Sequence, residues 1–306
     1  MKIINSAFSF FRRPILITGL IVFVLALAGC LPGRFGDKLD SIEDESPSRG
    51  LIPDYFPSDD PALNPPDKYT TVGLNPGEFI YIYSEPKSEA VILGEIPSAI
   101  TNINSSGEPI EQGNTTWILA EYGNTQGWVD SKYLAIQKGE VPEELVSFGW
   151  QVLDVLRRYD YNQLANLVHP DHCLRFSPYS YLAEDNLVTC PAELREIKFS
   201  DEYYTWGKYD GTGDPIKLKF GEYHKYYIYD VHYFRPEMVG FNVKVSTGNA
   251  INNINEVYPD GLFIEYYFSG FDPQYLGMDW SSLTLVFVKD NQTWYPVAII
   301  HGQWTI

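Results

Sequence analysis

The chain has 306 residues, 44% apolar and 15% aromatic, which is enough to bury a sizeable core and, by length, to form about two domains. Acids outnumber bases 40 to 22, giving a formal charge of −18. A balance this acidic excludes a nucleic-acid binder, whose phosphate contacts need a basic face, and argues against electrostatic docking on anionic lipid.

Lys2, Arg12 and Arg13 lie ahead of an apolar run from Pro14 to Ala28. The run is short of the ~20 residues that span a bilayer comfortably and has the layout of an export signal. It ends in Leu27-Ala28-Gly29-Cys30. Those four residues resemble the bacterial lipobox. The resemblance implies that residues 1–29 are a signal peptide, that Cys30 carries the lipid, and that the rest is held on the extracytoplasmic face of a bacterial membrane. An uncleaved transmembrane anchor is the other reading, and it places the remaining chain similarly. With Cys30 assigned to the lipid, Cys173 and Cys190 remain as an even pair. In an oxidising compartment such a pair predicts a disulfide, adding ~3 kcal/mol by the loop-entropy argument. Two reduced thiols are the alternative.

Residues 30–68 are rich in Pro, Ser and Asp without an apolar period and read as an extended tether. From 69 to 137 the character changes. Short apolar runs (EFIYIYSEP, AVILGEIP, TTWILAEYG, GWVDSKYLAI) alternate with turn residues. Phe79, Tyr81 and Tyr83 fall on one face of a strand, Ile80 and Ile82 on the other. Tyr83-Ser84-Glu85-Pro86, Val91-Ile92-Leu93-Gly94, Trp117-Ile118-Leu119-Ala120 and Gly127-Trp128-Val129-Asp130-Ser131-Lys132-Tyr133-Leu134 resemble the bacterial SH3-like domain. Two departures are Tyr83, where an arginine is usual, and the insert TNINSSGEPIEQGNTT before the Trp117 strand. The resemblance implies a small all-β barrel that binds cell-wall peptide or a protein partner, or acts as an envelope spacer. An aromatic groove suits an extended peptide, because rings give large contact area at low entropic cost. The candidates are Tyr83, Trp117, Trp128 and Tyr133, with core filling the competing role for Trp128 and Tyr133.

Residues 138–306 begin with helical spacing. Pro142 stands at a helix start, followed by Leu145, Phe148, Val152, Val155, Leu156 and Tyr159, and a second short helix spans Tyr161 to Val168. PIKLKF, MVGFNVKV, GLFIEYYF, LTLVFVKD and TWYPVAIIHGQW then read as strands, with Asp290-Asn291-Gln292-Thr293 a hairpin turn. GEYHKYYIYDVHYF fits helix and strand equally. Helices followed by long antiparallel strands predict an α+β domain of helices packed on a curved sheet. Its order and length look like the nuclear-transport-factor-like, cystatin-like cone. HPDHCLRFSPYSY, YTWGKYDGTGDPI, GMDWSSLTLVF and IIHGQWTI resemble a domain recurring in uncharacterised bacterial lipoproteins that carry an SH3-like module. The expected fold class is therefore multi-domain, an SH3-like barrel followed by an α+β domain.

A pocket in the second domain would be lined by Trp206, Tyr209, Asp210, Asp279, Trp280 and His301, with Trp304, Tyr179 and Tyr181 beside them, unless these rings fill the core. Asp210 and Asp214 offer oxygens for calcium, but the segment lacks the ligand set of an EF-hand, and a pair of turns accounts for it. His169, His172, His224, His232 and His301 show no zinc spacing, and no metal or other cofactor is expected. A cell-wall hydrolase in this domain would use Cys173 with His301, or a carboxylate pair such as Asp210 and Asp279. No motif for a nucleophilic serine or a phosphate loop is present. The sequence thus predicts a lipid-anchored envelope binding protein, with a wall hydrolase or a non-binding spacer as alternatives.

Overall fold

The computed structural model describes residues 68–247 and 251–305. The expected signal peptide, the expected lipidation site Cys30 and the expected tether up to residue 67 lie outside the described residues. Among the described residues no helix is long and apolar enough to cross a membrane.

The chain opens with β1 (Lys68–Thr71), β2 (Phe79–Tyr83), β3 (Ile92–Pro97), β4 (Ile103–Ser105), β5 (Ile110–Gln112), β6 (Thr115–Tyr122), β7 (Thr125–Asp130) and β8 (Leu134–Gln137). Helices α1 (Glu143–Arg157) and α2 (Tyr161–Leu167) follow, then β9 (Leu174–Ser177), β10 (Val188–Thr189), α3 (Pro191–Ile197), β11 (Tyr204–Lys208) and β12 (Pro215–Leu218). A short α4 (Phe220–Tyr223) runs directly into a π-helical turn, His224–Ile228. Strand β13 (Met238–Phe241), α5 (Ile254–Val257), β14 (Leu262–Phe268), β15 (Ser281–Asp290) and β16 (Thr293–Gln303) complete the fold.

The expected fold class is corrected here. Fourteen strands form one mixed sheet in the order β10-β9-β16-β15-β14-β13-β8-β1-β4-β6-β7-β2-β3, with β5 paired to β6. This is not a small SH3-like barrel followed by an α+β domain of helices packed on an antiparallel sheet. The join is β8, which pairs antiparallel with β1 on one side and parallel with β13 on the other, Ile136 opposite Gly240 and Gln137 opposite Phe241. With both edges of β8 used, its backbone groups are satisfied by strands from distant parts of the chain. The buried Gln137 amide fastens the joint. Its Oε1 accepts from Thr70 Oγ1 (2.7 Å) and Asn102 N (3.1 Å), and its Nε2 donates to Gly139 O (2.7 Å). The sheet is also mixed at its other end, where β9 runs parallel to β16.

Local chemistry explains the elements. In β2, Ile80 and Ile82 are buried in a cluster with Tyr69, Ile96, Ile103, Ile118, Ala120 and Val129, while Phe79 and Tyr81 face outward at 43% and 37% exposure. That is the period-two alternation of a half-buried strand. Helix α1 starts after Pro142, with Glu143 and Glu144 in its first turn and Arg157 in its last, complementing the helix dipole. Its Phe148 meets Phe287 and its Trp150 meets Tyr266 at ring separations of 5.6 and 5.1 Å. Those contacts belong to the largest core cluster, which also holds Tyr161, Trp206, Phe220 and Tyr223. Gly149 lets α1 approach closely, since an added Cβ there would lie 2.3 Å from Ile264 Cδ1. The opposite face of β14 to β16 is covered by Leu182, Val245 and Ile254. Asn253 holds that cover by accepting from Leu182 N (2.8 Å) and donating to Leu182 O (3.0 Å). The buried Glu265 carboxylate accepts from the backbone N–H groups of Val245 and Ser246.

Cys173 and Cys190 form a disulfide, tying the residue before β9 to the N-cap of α3. Glu193 accepts from the Cys190 N–H at 3.2 Å, so the helix start is fixed twice.

Candidate functional site

The outer face of β2, β6 and β7 carries a set of neighbouring rings, of which Phe79 and Tyr81 are exposed. Register sets the neighbours. Trp128 stands opposite both Leu119 and Tyr83, Trp117 opposite Asp130 and Ile110, Tyr81 opposite Glu95, and Phe79 opposite Pro97. Phe79, Tyr81, Tyr83 and Trp117 form a continuous file, with successive ring centroids 5.4, 6.1 and 5.6 Å apart and all three contacts edge-to-face. Edge-to-face pairs are favourable because the positive ring edge meets the negative face, so the file is held in place before any ligand arrives.

Of the four peptide-binding candidates, Tyr83, Trp117 and Trp128 share this face. Trp117 is the anchor, at 4% exposure, with Tyr83 against it. Tyr133 packs against the neighbouring core cluster and has the Lys132 ammonium 4.6 Å from its ring centroid. Lys132 Nζ also pairs with Asp130 Oδ2 at 2.9 Å. Burial is the largest single influence on Lys132 and opposes its charge, but the hydrogen bond and charge of Asp130, together with Tyr133, outweigh it and hold its pKa above the ordinary lysine value. Burial likewise pushes the Tyr83 hydroxyl upward, helped by Tyr81 and Asp130 and opposed by Lys132. These influences place Tyr81, Asp130, Lys132 and Tyr133 around one phenol. Phe79 and Tyr81, the most exposed rings of the file, were signalled in the sequence by the alternation of β2.

The residues proposed to line a pocket in the C-terminal half do not converge on one. Trp206 is fully buried, stacked on Tyr223 at 3.7 Å, with its Nε1 donating to Leu218 O (2.9 Å). Tyr209 and Asp210 sit in the β11–β12 hairpin, where Tyr209 N donates to Asp214 O and Gly213 N to Tyr209 O, with Gly211 and Gly213 at positive φ. Turn formation thus accounts for this loop. Asp279 Oδ2 accepts from Phe271 N (3.0 Å) and Asp272 N (2.8 Å), so it closes its own loop. Trp280 is buried with Tyr267 on one side of the sheet. It lies over Gly302, whose added Cβ would be 3.1 Å from the indole, whereas the adjacent His301 points to the other side. Tyr179 reaches Tyr227 at 6.4 Å, while Tyr181 and Trp304 are exposed. Among the described residues, no group of three His, Cys, Asp or Glu side chains could hold a metal ion.

His301 belongs to a buried polar knot that sequence reasoning missed. Tyr233 Oη donates to Asp230 Oδ1 (2.7 Å) and lies 2.6 Å from Ser281 Oγ, which donates to Asp230 Oδ2 (2.9 Å). His301 Nε2 is 3.4 Å from both Ser281 Oγ and Asp230 Oδ2. A nucleophile relay needs the carboxylate on Nδ1 and the hydroxyl on Nε2. Here both meet the same nitrogen, and all four residues are buried. The knot pairs interior polar groups with one another, while the buried His301 Nδ1 has no hydrogen-bond partner among the described residues, and it does not present a nucleophile. The only sequence signal was the polar pair Ser281-Ser282 at the head of an apolar strand.

The other histidines also serve structure. His169 Nδ1 accepts from Asp171 N (3.0 Å) and His172 N (3.1 Å), so its Nε2 carries the proton toward Asp290 Oδ2 (3.2 Å) and ties α2 to the β15–β16 hairpin. His224 Nδ1 lies 2.8 Å from Tyr161 Oη. His232 Nδ1 lies 3.0 Å from Tyr229 Oη.

No protein-family model matches this chain, and no curated protein sequence matches it.

Proposed function

We propose that this chain is an envelope binding protein, lipid-anchored through Cys30 on the extracytoplasmic side of a bacterial membrane, that engages an extended polypeptide, from the cell wall or a protein partner, on the face around Tyr81, Tyr83 and Trp117. The observation that carries this reading is the pre-organised aromatic file on β2 and β6, with two rings more than a third exposed and each set against the next. Rings so placed gain contact area with little further ordering cost. The lipobox resemblance and the disulfide support the exported location. The Cys173 sulfur is bonded to Cys190 and offers no thiolate for a cysteine hydrolase.

The test is co-sedimentation of the purified chain with insoluble cell wall, followed by analysis of the supernatant for released wall fragments. Retention without release, reduced several-fold by Tyr81→Ala, supports the reading. Released fragments point to a hydrolase instead. Retention unchanged by Tyr81→Ala and Tyr83→Ala removes the aromatic face.

A further inference from the structure

Strand β3 ends the sheet and, among the described residues, pairs only with β2. An unpaired edge is a template for another strand, and proteins usually blunt it with lysines, prolines or irregular twist. Here the protection is thin. Pro97 stands at the far end, β3 itself carries no lysine, and the register shifts once opposite Ile82 and Tyr83. The approach is apolar, with Val91, Ile92 and Leu93 exposed at 68%, 49% and 46%.

Charge says what kind of strand fits. The one charged residue of β3 is Glu95, exposed and without an ion pair among the described residues. The nearby Lys87 is already paired with Glu85. Glu95 stands opposite Tyr81, so a carboxylate and an aromatic ring are side by side at the edge. A second copy of a chain with formal charge −18 would bring more acid to this place. We infer that the edge of β3 takes up an extended basic polypeptide segment as an added strand, with a lysine or arginine set against Glu95 and Tyr81 and an apolar residue two positions away, over Pro97. Main-chain hydrogen bonds to β3 hold the segment, and the alternate side chains read the face. The cation gains both the carboxylate and the ring. This deepens the proposed function by naming the partner's chemistry and the edge it uses, and it rests on that reading.

The experiment uses the full chain in detergent and the capped peptide Thr-Val-Thr-Lys-Thr-Val-Thr. Hydrogen–deuterium exchange is followed across residues 91–97, and affinity is read by fluorescence anisotropy. The expected result is slowed exchange at 91–97 with the lysine peptide and little or none when glutamate replaces its lysine. Glu95→Lys is expected to weaken the lysine peptide about tenfold and to restore the glutamate peptide, because an attractive cross-strand pair becomes repulsive and back again. Glu95→Gln, a milder change, should fall between. Alternate N-methylation of the peptide backbone should abolish binding while leaving its charge untouched. Equal binding of acidic and basic peptides overturns the inference, as does protection of 91–97 before any peptide is added, which would mean a second copy or another part of this chain already covers the edge. Wall retention that still depends on Tyr81 but brings no protection at 91–97 defeats the strand addition and leaves the aromatic face standing. Protection at 91–97 without wall retention does the reverse.

Discussion

Tyr83 and Trp117 meet edge-to-face with ring centroids 5.6 Å apart and planes at 89°, one ring half-buried and the other almost wholly covered. They come from strands that are not adjacent, with β7 between β2 and β6 in the sheet. The contact therefore reports whether the outer face is correctly assembled.

A double-mutant cycle with Tyr83→Leu and Trp117→Leu should give a coupling of about 0.5–1.5 kcal/mol, the range for such aromatic pairs beyond area burial. Trp117→Leu alone should be the more destabilising because its ring is buried, and Tyr83→Leu should mainly affect ligand binding. Chemical denaturation of the four proteins checks the coupling. Additive changes would mean that the rings merely sit near each other.

The Cys173–Cys190 bridge closes a separation of 17 residues. Replacing both cysteines with alanine should lower stability by about 3 kcal/mol on the loop-entropy argument. A reductant added to the wild-type protein should lower the melting temperature comparably and leave the double variant unmoved. Equal melting of oxidised and reduced protein would show that the bridge does not constrain the unfolded chain.

Elements were legible where the signal is local. The alternation of β2 assigns Phe79 and Tyr81 to the outside and Ile80 and Ile82 to the core without any tertiary information. The turn Asp290-Asn291-Gln292-Thr293 carries two central residues at positive φ, as a tight hairpin between β15 and β16 requires. The ambiguous tyrosine-rich stretch resolves as a short helix passing into a π turn. The architecture was not legible, because its deciding contacts are long-range. The parallel pairing of β8 with β13 and of β9 with β16 joins segments far apart in sequence and leaves no mark in either strand's own pattern. The pocket candidates failed for a related reason. His301 and Gly302 are neighbours in sequence, yet strand alternation sends one toward Tyr227 and the other under Trp280. Aromatic residue type alone settles neither burial, since Tyr209 and Trp304 are exposed while Trp206 and Trp280 are buried, nor the side of the sheet to which a ring belongs.

Acid should destabilise the fold through His224. Burial pushes its imidazole down to about 4 from an ordinary 6.5, and the Tyr161 hydroxyl, itself pushed well up by burial, stays protonated and donates to Nδ1. The folded state thus holds His224 neutral where the unfolded chain has protonated it. Stability on this account is fully present above pH 6.5 and falls as the pH drops toward about 4, at a limiting slope of about 1.4 kcal/mol per pH unit. His232 adds a contribution of the same sign, since burial, with Arg235 and Arg157, also lowers its pKa. Melting temperatures across this window should fall less steeply in His224→Leu than in the wild type. Parallel curves would place the acid sensitivity elsewhere.

Gly127 links the sequence to the face most directly. It precedes Trp128 in β7, and an added Cβ would lie 2.5 Å from the Tyr83 carbonyl oxygen and 2.6 Å from Ile82 Cγ2. A side chain there cannot be relieved by rotating a flexible neighbour alone, because the nearer atom is backbone. Gly127→Ala should therefore push β2 from β7, cost about 1–3 kcal/mol as overpacking does, and weaken ligand retention by shifting Tyr83. Gly221→Ala is the control, since its nearest neighbour, Tyr159 Oη, would be at an ordinary 3.6 Å and the residue lies in α4, where alanine is the better helix former. The expected pattern is a lower melting point and lost Tyr83–Trp117 coupling for Gly127→Ala, with neither change for Gly221→Ala. A Gly127→Ala protein that melts and binds like the wild type would mean that β2 and β7 tolerate separation, and that the aromatic file does not depend on their close pairing.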